Sequence, residues 1–200
     1  MPITYTNRKG VPYFLCQTVT KTDQTRYYFA RQPKGEPVEE IPAGHKIVES
    51  VNGVVSLARD IPSPIRPEEL ASVEAAVHRL PKARNYRVST RQNRIEVYEL
   101  IAPDVDELIR ELCHIDPHLA HVARETRDDL QDTLDRHCQY EAVLRFTLAD
   151  PEKRTFRAAR MAYSGHGGWH ELWSVETEPL AGLVKLLIPT LGTEEFFELH

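Results

Sequence analysis

Residues 140–163, YEAVLRFTLADPEKRTFRAARMAY, decide how this chain is read. Ala142, Leu144, Phe146 and Leu148 alternate with mostly polar neighbours, the period of a strand with one face buried. DPEKR is a polar turn, and TFRAARMAY supplies the partner strand. Two strands joined this way pair antiparallel. Downstream, WHELWSVE predicts a third strand, with Trp169, Trp173 and Val175 on one face.

Upstream lies a second hairpin, YRVST and RIEVYEL around RQN, which puts Val88 on the side of Ile95 and Val97. Before it, Leu70, Val73, Val77 and Leu80 recur at helical spacing, with Ser63 or Pro67 as the start. Asp104 as N-cap with Glu107 predicts a helix whose stripe is Val105, Leu108, Ile109 and Leu112. Asp116-Pro117 starts another, from about His118 to His137, with Leu119, Val122, Leu130 and Leu134 facing inward. Its stripe weakens around Thr126, which predicts a bend or an exposed helix. Thr177 is read as the cap of a last helix carrying Leu180, Leu183, Val184 and Leu187, stopped by Pro189 and Gly192. TEEFFELH adds one short turn packed by Phe196 or Phe197. Residues 64–200 thus read α-β-β-α-α-β-β-β-α, an α+β domain with an antiparallel sheet covered by helices. Strict strand-helix alternation is missing, which excludes a doubly wound parallel sheet.

Residues 1–60 read as a small antiparallel β module of four or five strands. Gly10 closes the NRKG turn, and GVPYFLCQTVT and RYYFAR flank the polar KTDQT. HKIVES and VVSLAR flank Asn52-Gly53, the signature of a two-residue hairpin. A sheet this thin needs to pack on the rest of the chain or on a second copy. DIPSPIRPEE, residues 60–69, is the linker.

The composition suits a globular domain: 200 residues, 41% apolar and 28% charged. A net charge of −5 excludes a protein that coats nucleic acid or an anionic membrane with its whole surface. The charge is uneven, however. Residues 1–36 carry Arg8, Lys9, Lys21, Arg26, Arg31 and Lys34 against Asp23 and Glu36, a net of +4 that leaves −9 for the remainder. Cys16, Cys113 and Cys138 are odd in number and far apart, so no disulfide framework is expected and a reducing compartment fits. MPITYTNRKG lacks a signal-peptide core, and the longest apolar run, LAGLVKLLI, is too short to span a membrane. A cytoplasmic protein is expected.

Five patterns compete for a chemical role. In TRYYFARQPKG, Tyr27, Phe29 and Arg31 share one strand face, and Arg26, Tyr28 and Ala30 the other. Rings among cations are what single-stranded nucleic acid favours, and cross-strand packing on Tyr13 or Phe14 is the competing reading. Arg8, Lys9, Arg26, Tyr28 and Arg31 are therefore the candidate contacts with an anionic partner such as nucleic acid. In YSGHGGWHELW, His166 and His170 are candidate zinc ligands. The spacing is strong only on a helix, which the glycines forbid, and a strand would hold the pair roughly 13 Å apart. A Gly-rich hairpin with surface histidines is the alternative. His114, His118 and His121 with Asp116 form one face only if the helix runs through Pro117, which disfavours it. His137 beside Cys138 points apart on a helix, and Asp128, Asp129, Asp132 and Asp135 alternate with Arg124, Arg127 and Arg136 as on a solvated surface. There is no P-loop, dinucleotide fingerprint, serine nucleophile elbow or paired CxxC. No cofactor is predicted, with zinc as the alternative.

The stretch YTNRKGVPYFLCQTVTKTDQTRYYFARQPKGEPVEEIPAGHKIVESVNGVVSL resembles the opening of a group of uncharacterised bacterial proteins. They are similar in a TNRKG turn, a YYF strand and an EEIPxG segment in that order. The resemblance covers the first third of the chain and implies a bacterial origin and a recurring small module. The group carries no assigned activity, so no catalytic residue transfers.

The expectation is a non-enzymatic interaction protein acting through its basic, aromatic N-terminal sheet. A metal-dependent or hydrolytic enzyme using loop 164–170, and a self-associating structural protein, are the alternatives. The first reading expects salt-sensitive retention on a polyanion column, with elution at lower salt after Arg26→Ala and Arg31→Ala. Retention indifferent to salt removes it.

Overall fold

The chain folds into two units, Met1–Pro62 and Ser63–His200. The computed structural model describes residues 1–33, 35–102, 105–115, 122, 125–137, 139–163 and 168–198. The class is mixed α+β with predominantly antiparallel strands. Among the described residues no helix is long and apolar enough to cross a membrane.

In the first unit, β1 (Thr4–Thr6), β2 (Pro12–Val19) and β3 (Thr25–Ala30) pair in that order, and β4 (Glu36–Pro37) also pairs with β2. β5 (His45–Glu49) and β6 (Val55–Arg59) form a separate hairpin. Tyr13, Leu15, Cys16, Val51 and Val55 are buried. The β5–β6 turn corrects the two-residue expectation. Gly53 N–H bonds the Ser50 carbonyl, and Ser50 and Val54 close the ladder around a three-residue loop. Only Gly53, at φ 76°, takes the left-handed region, while Asn52 does not. That is a turn closed by a glycine, a common three-residue solution.

Asn7 is buried and holds this unit's turns together. Its Oδ1 accepts from the amides of Lys9 and Val11 at 3.0 and 2.8 Å, and its Nδ2 donates to the Gly53 carbonyl at 2.6 Å. The β1–β2 turn is thereby tied to the β5–β6 loop. A buried amide is tolerated because its groups find partners.

The second unit is built on a five-stranded sheet in the order β11-β10-β9-β8-β7, every pair antiparallel. The strands are β7 (Tyr86–Arg91), β8 (Arg94–Ile101), β9 (Gln139–Asp150), β10 (Thr155–Tyr163) and β11 (Trp169–Pro179). The alternation in 140–148 does what its period demands: Leu144, Phe146 and Leu148 enter the main core with Ile95, Val97, Phe156 and Ala158. Helices α1 (Pro67–Val77) and α4 (Leu180–Leu187) add Val73, Ala76, Val77, Leu180, Leu183, Val184 and Leu187 to that same core. Irregular register at Val97/Tyr98 places Ala142 in a second cluster with Tyr98, Ala159 and Met161.

Pro67 begins α1, and Glu69 accepts from the Arg66 amide at 2.8 Å as the return half of a capping box. Ser63, the other proposed start, instead donates to the Gln92 carbonyl. The Glu69 carboxylate also accepts from Nε and Nη2 of Arg154, in the β9–β10 turn. Thr177 does not cap α4: β11 runs on to Pro179, which occupies that position.

Helices α2 (Val105–Ile115) and α3 (Arg127–His137) lie between β8 and β9 and meet through Val105, Ile109 and Leu134. Arg127 grips Asp106 with two 2.8 Å bonds. Val122 and Leu130, expected to face inward, are exposed. Among the described residues of that stripe only Leu134 packs on α2, so this part of the helix matches the solvated alternative. Asp104, Pro117 and Leu119 lie outside the described residues. A short α5 (Glu195–Glu198) brings Phe196 against Trp173, ring centroids 5.9 Å apart and edge to face.

On the sheet's second face Glu96 is buried, pairs with Arg145 at 2.8 Å and accepts from the Tyr98 hydroxyl at 2.7 Å. Removing one partner strands a buried charge. Arg145→Ala is expected to lose about 3–5 kcal/mol in urea unfolding. Replacing Glu96 and Arg145 together by leucine recovers most of that loss. A mild effect of Arg145→Ala alone contradicts the assignment.

Candidate functional site

A groove runs between α1 and α4, and helix periodicity explains its walls. Ser72, Ala75, Ala76 and Arg79 form one stripe on α1 and its continuation, beside the core stripe of Val73 and Val77. Ala181, Val184 and Lys185 on α4, with Ile188 in the 3-10 turn after it, repeat the pattern. Leu80, Pro81 and Pro189 complete the lining. Three alanines where larger residues would interdigitate leave a cavity of about 680 Å³. That lies within the roughly 300–1,000 Å³ of ordinary ligand sites.

The groove's polar groups are few. Ser72 Oγ donates to the Glu69 carbonyl at 2.8 Å, so its donor is used. Arg79 and Lys185 line the groove and are exposed. Among the described residues neither has an ion-pair or side-chain hydrogen-bond partner. The lining contains no carboxylate, imidazole or thiol.

The basic N-terminal residues lie in separate places. Arg8 donates to the Ser50 carbonyl at 2.5 Å and pairs with Glu49 at 3.4 Å. Lys9 lays its stem beside Gly53. Arg26 is exposed on β3 opposite Thr18 and shares a face with Tyr28. Tyr28 is half-buried; a side chain at Gly35 would meet its hydroxyl at 2.7 Å, so the ring is partly roofed by backbone. Arg31 stacks on Tyr13, 5.9 Å from the ring centroid. Only Arg26 and Tyr28 among the five share a strand face.

His170 is exposed on β11 opposite Ala162, while His166 lies outside the described residues. His114 is exposed and bonds the Arg110 carbonyl at 2.8 Å, and His118 and His121 are outside the described set, as are Asp116 and Cys138. Cys16 is buried as a small core residue. Among the described residues no three His, Cys, Asp or Glu side chains gather as a metal site would require.

A second, shallower recess is lined by Glu99, Leu100, Ile101, Ala102, Glu141 and Val143. Glu99 and Glu141 face each other directly across β8 and β9. Glu99 accepts from the Tyr86 hydroxyl at 2.8 Å. Burial first, then that hydrogen bond, pushes the Tyr86 phenol well above its ordinary range. Tyr98 is raised in the same way, by burial and by its bond to Glu96.

No protein family, curated protein or solved structure matches this chain. The chemistry of the groove therefore has to be read from its own residues. Sequence reasoning passed over it, because alanine on a helix draws no attention. The available signal was a stripe of small residues, 72, 75 and 76, beside an apolar stripe, ending in an arginine.

Tyr86 and Tyr98, the two phenols raised furthest, set a pH dependence. Their folded values lie above the unfolded value of about 10, so their stabilisation is complete below that pH and is lost as pH rises beyond it. Absorbance titration of the folded protein is expected to show a late-ionising tyrosine component. Tyr86→Phe with Tyr98→Phe removes it, and an unchanged titration contradicts the assignment.

Proposed function

We propose that the chain is a binding protein that holds a partner without transforming it, and that the α1–α4 groove is where it does so. In this reading the antiparallel sheet, covered on one face by α1 and α4, is the scaffold. The observation that carries it is the groove of about 680 Å³, apolar along both walls and open to solvent between two helices anchored in the same core. Walls so anchored lower the ordering cost of binding.

The magnitudes favour a small molecule of moderate affinity. Burying roughly 300 Å² of apolar surface contributes about 7.5 kcal/mol at 25 cal/mol per Å². Association costs at least about 4 kcal/mol of that. Apolar contact alone therefore gives weak binding, and polar groups have to supply the rest.

The N-terminal sheet supports an anionic partner less well. Arg8 and Arg31 are engaged within their own unit. The folded unit as a whole also holds eight basic against six acidic side chains, so much of the excess in residues 1–36 is offset.

Nile red, an uncharged fluorophore, tests the reading. Its emission is expected to brighten and shift to the blue with the native protein. Ala75→Trp and Ala181→Trp both fill the groove from exposed positions, and each is expected to abolish the signal with the melting temperature unchanged. A signal indifferent to both substitutions rejects the groove as the site.

A further inference from the structure

We propose that the groove's ligand is an amphipathic monoanion, an unbranched alkyl chain ending in a carboxylate, with Arg79 and Lys185 holding the head group. This rests on the groove being the binding site. It adds the ligand's charge and shape.

Three observations converge on that chemistry. The walls are apolar and built from Ala75, Ala76, Ala181, Val184 and Ile188, with no carboxylate in the lining. A tail without polar groups matches them and leaves no buried donor or acceptor unpaired. The two charges in the lining are both positive, Arg79 from the turn after α1 and Lys185 from α4, so each wall of the groove carries one. Neither is engaged by another side chain among the described residues. Several cations of this unit are spent on neighbours, Arg145 on Glu96, Arg154 on Glu69 and Arg157 on Glu171, whereas Arg94 buries its Nε without a hydrogen-bond partner among the described residues and away from the groove. The unit is strongly acidic, −7 once the +2 of the first unit is taken from the total of −5. An unmatched pair of cations in an acidic unit is a local feature that a carboxylate complements.

Length argues in the same direction. Ser72 to Arg79 covers about 10 Å of chain at 1.5 Å per helical residue, which suits an alkyl chain of roughly eight to ten carbons. A guanidinium can bond both carboxylate oxygens at once, and an ammonium adds a point charge beside them. The occupant is a free monomer in solution, not a bilayer and not a second copy of the chain.

The test uses the full chain and three probes of equal tail length: decanoate, decanol and decyltrimethylammonium, each displacing Nile red. Decanoate is expected to bind about five- to tenfold tighter than decanol, with the cation weakest. Added salt should narrow the gap. Arg79→Gln with Lys185→Gln is expected to erase the preference, bringing the decanoate-to-decanol affinity ratio to about one.

Equal affinity of decanoate and decanol overturns the inference, and so does a preference that survives the double substitution. The two cations also sit where they offset negative helix ends. If that were their whole role, the double variant would melt earlier yet keep its ligand ratio, which again overturns it. Binding to anionic phospholipid vesicles without binding to free decanoate rejects the free-monomer source. A sedimentation dimer that dissociates on Ala75→Trp shows the groove occupied by a second copy and rejects the small ligand. Nile red displaced equally by all three probes sinks only the charge assignment; Nile red insensitive to Ala75→Trp sinks the groove itself.

Discussion

The larger unit depends on one constraint: the face of the sheet carrying Leu144, Phe146, Phe156 and Ile95 has to be kept from water. An antiparallel meander can leave one face solvated but not an apolar one. Two helices from opposite ends of the unit, α1 before the first strand and α4 after the last, close that face. They are neighbours in space because both serve the same surface, and the groove is the seam where their outer stripes fail to interlock.

Polar contacts then set the register of that arrangement. Glu69 caps the start of α1 and receives Arg154 from the β9–β10 turn, so the helix is fastened to the hairpin it covers. Arg154 holds a positive φ of 55°, which a non-glycine residue adopts at some cost, and its ion pair and its approach to Phe156 offset that cost. Asn7 does similar work in the smaller unit by joining two turns that lie 46 residues apart in the chain. In both units a single side chain with several bonds takes the place of extra core.

Charge shows how folding revises a reading made along the chain. Counted in order, the first 36 residues look like a basic patch. In three dimensions Glu49 arrives beside Arg8, and Tyr13 takes Arg31 as a stacking partner. Groups that seemed available for a partner are already engaged. The reverse holds for Arg79 and Lys185, which are unremarkable in sequence and line one groove only because α1 and α4 meet.

Periodicity alone was enough for the mixed α+β class, the antiparallel pairing around 140–163 and the core stripes of α1 and α4. Alternation by two or by three and four is a property of neighbouring residues. It was insufficient where an element's partner matters: Val122 and Leu130 carry the pattern of a buried stripe yet are exposed. Thr177 has a capping residue's chemistry but remains in a strand. The loop at Asn52-Gly53 has the expected glycine in a different turn, because closure there is set by Ser50 and Val54. Only the tertiary structure decided where space is left over. A groove is an absence of side-chain volume between two segments about a hundred residues apart, and nothing in either segment alone records how closely the other approaches.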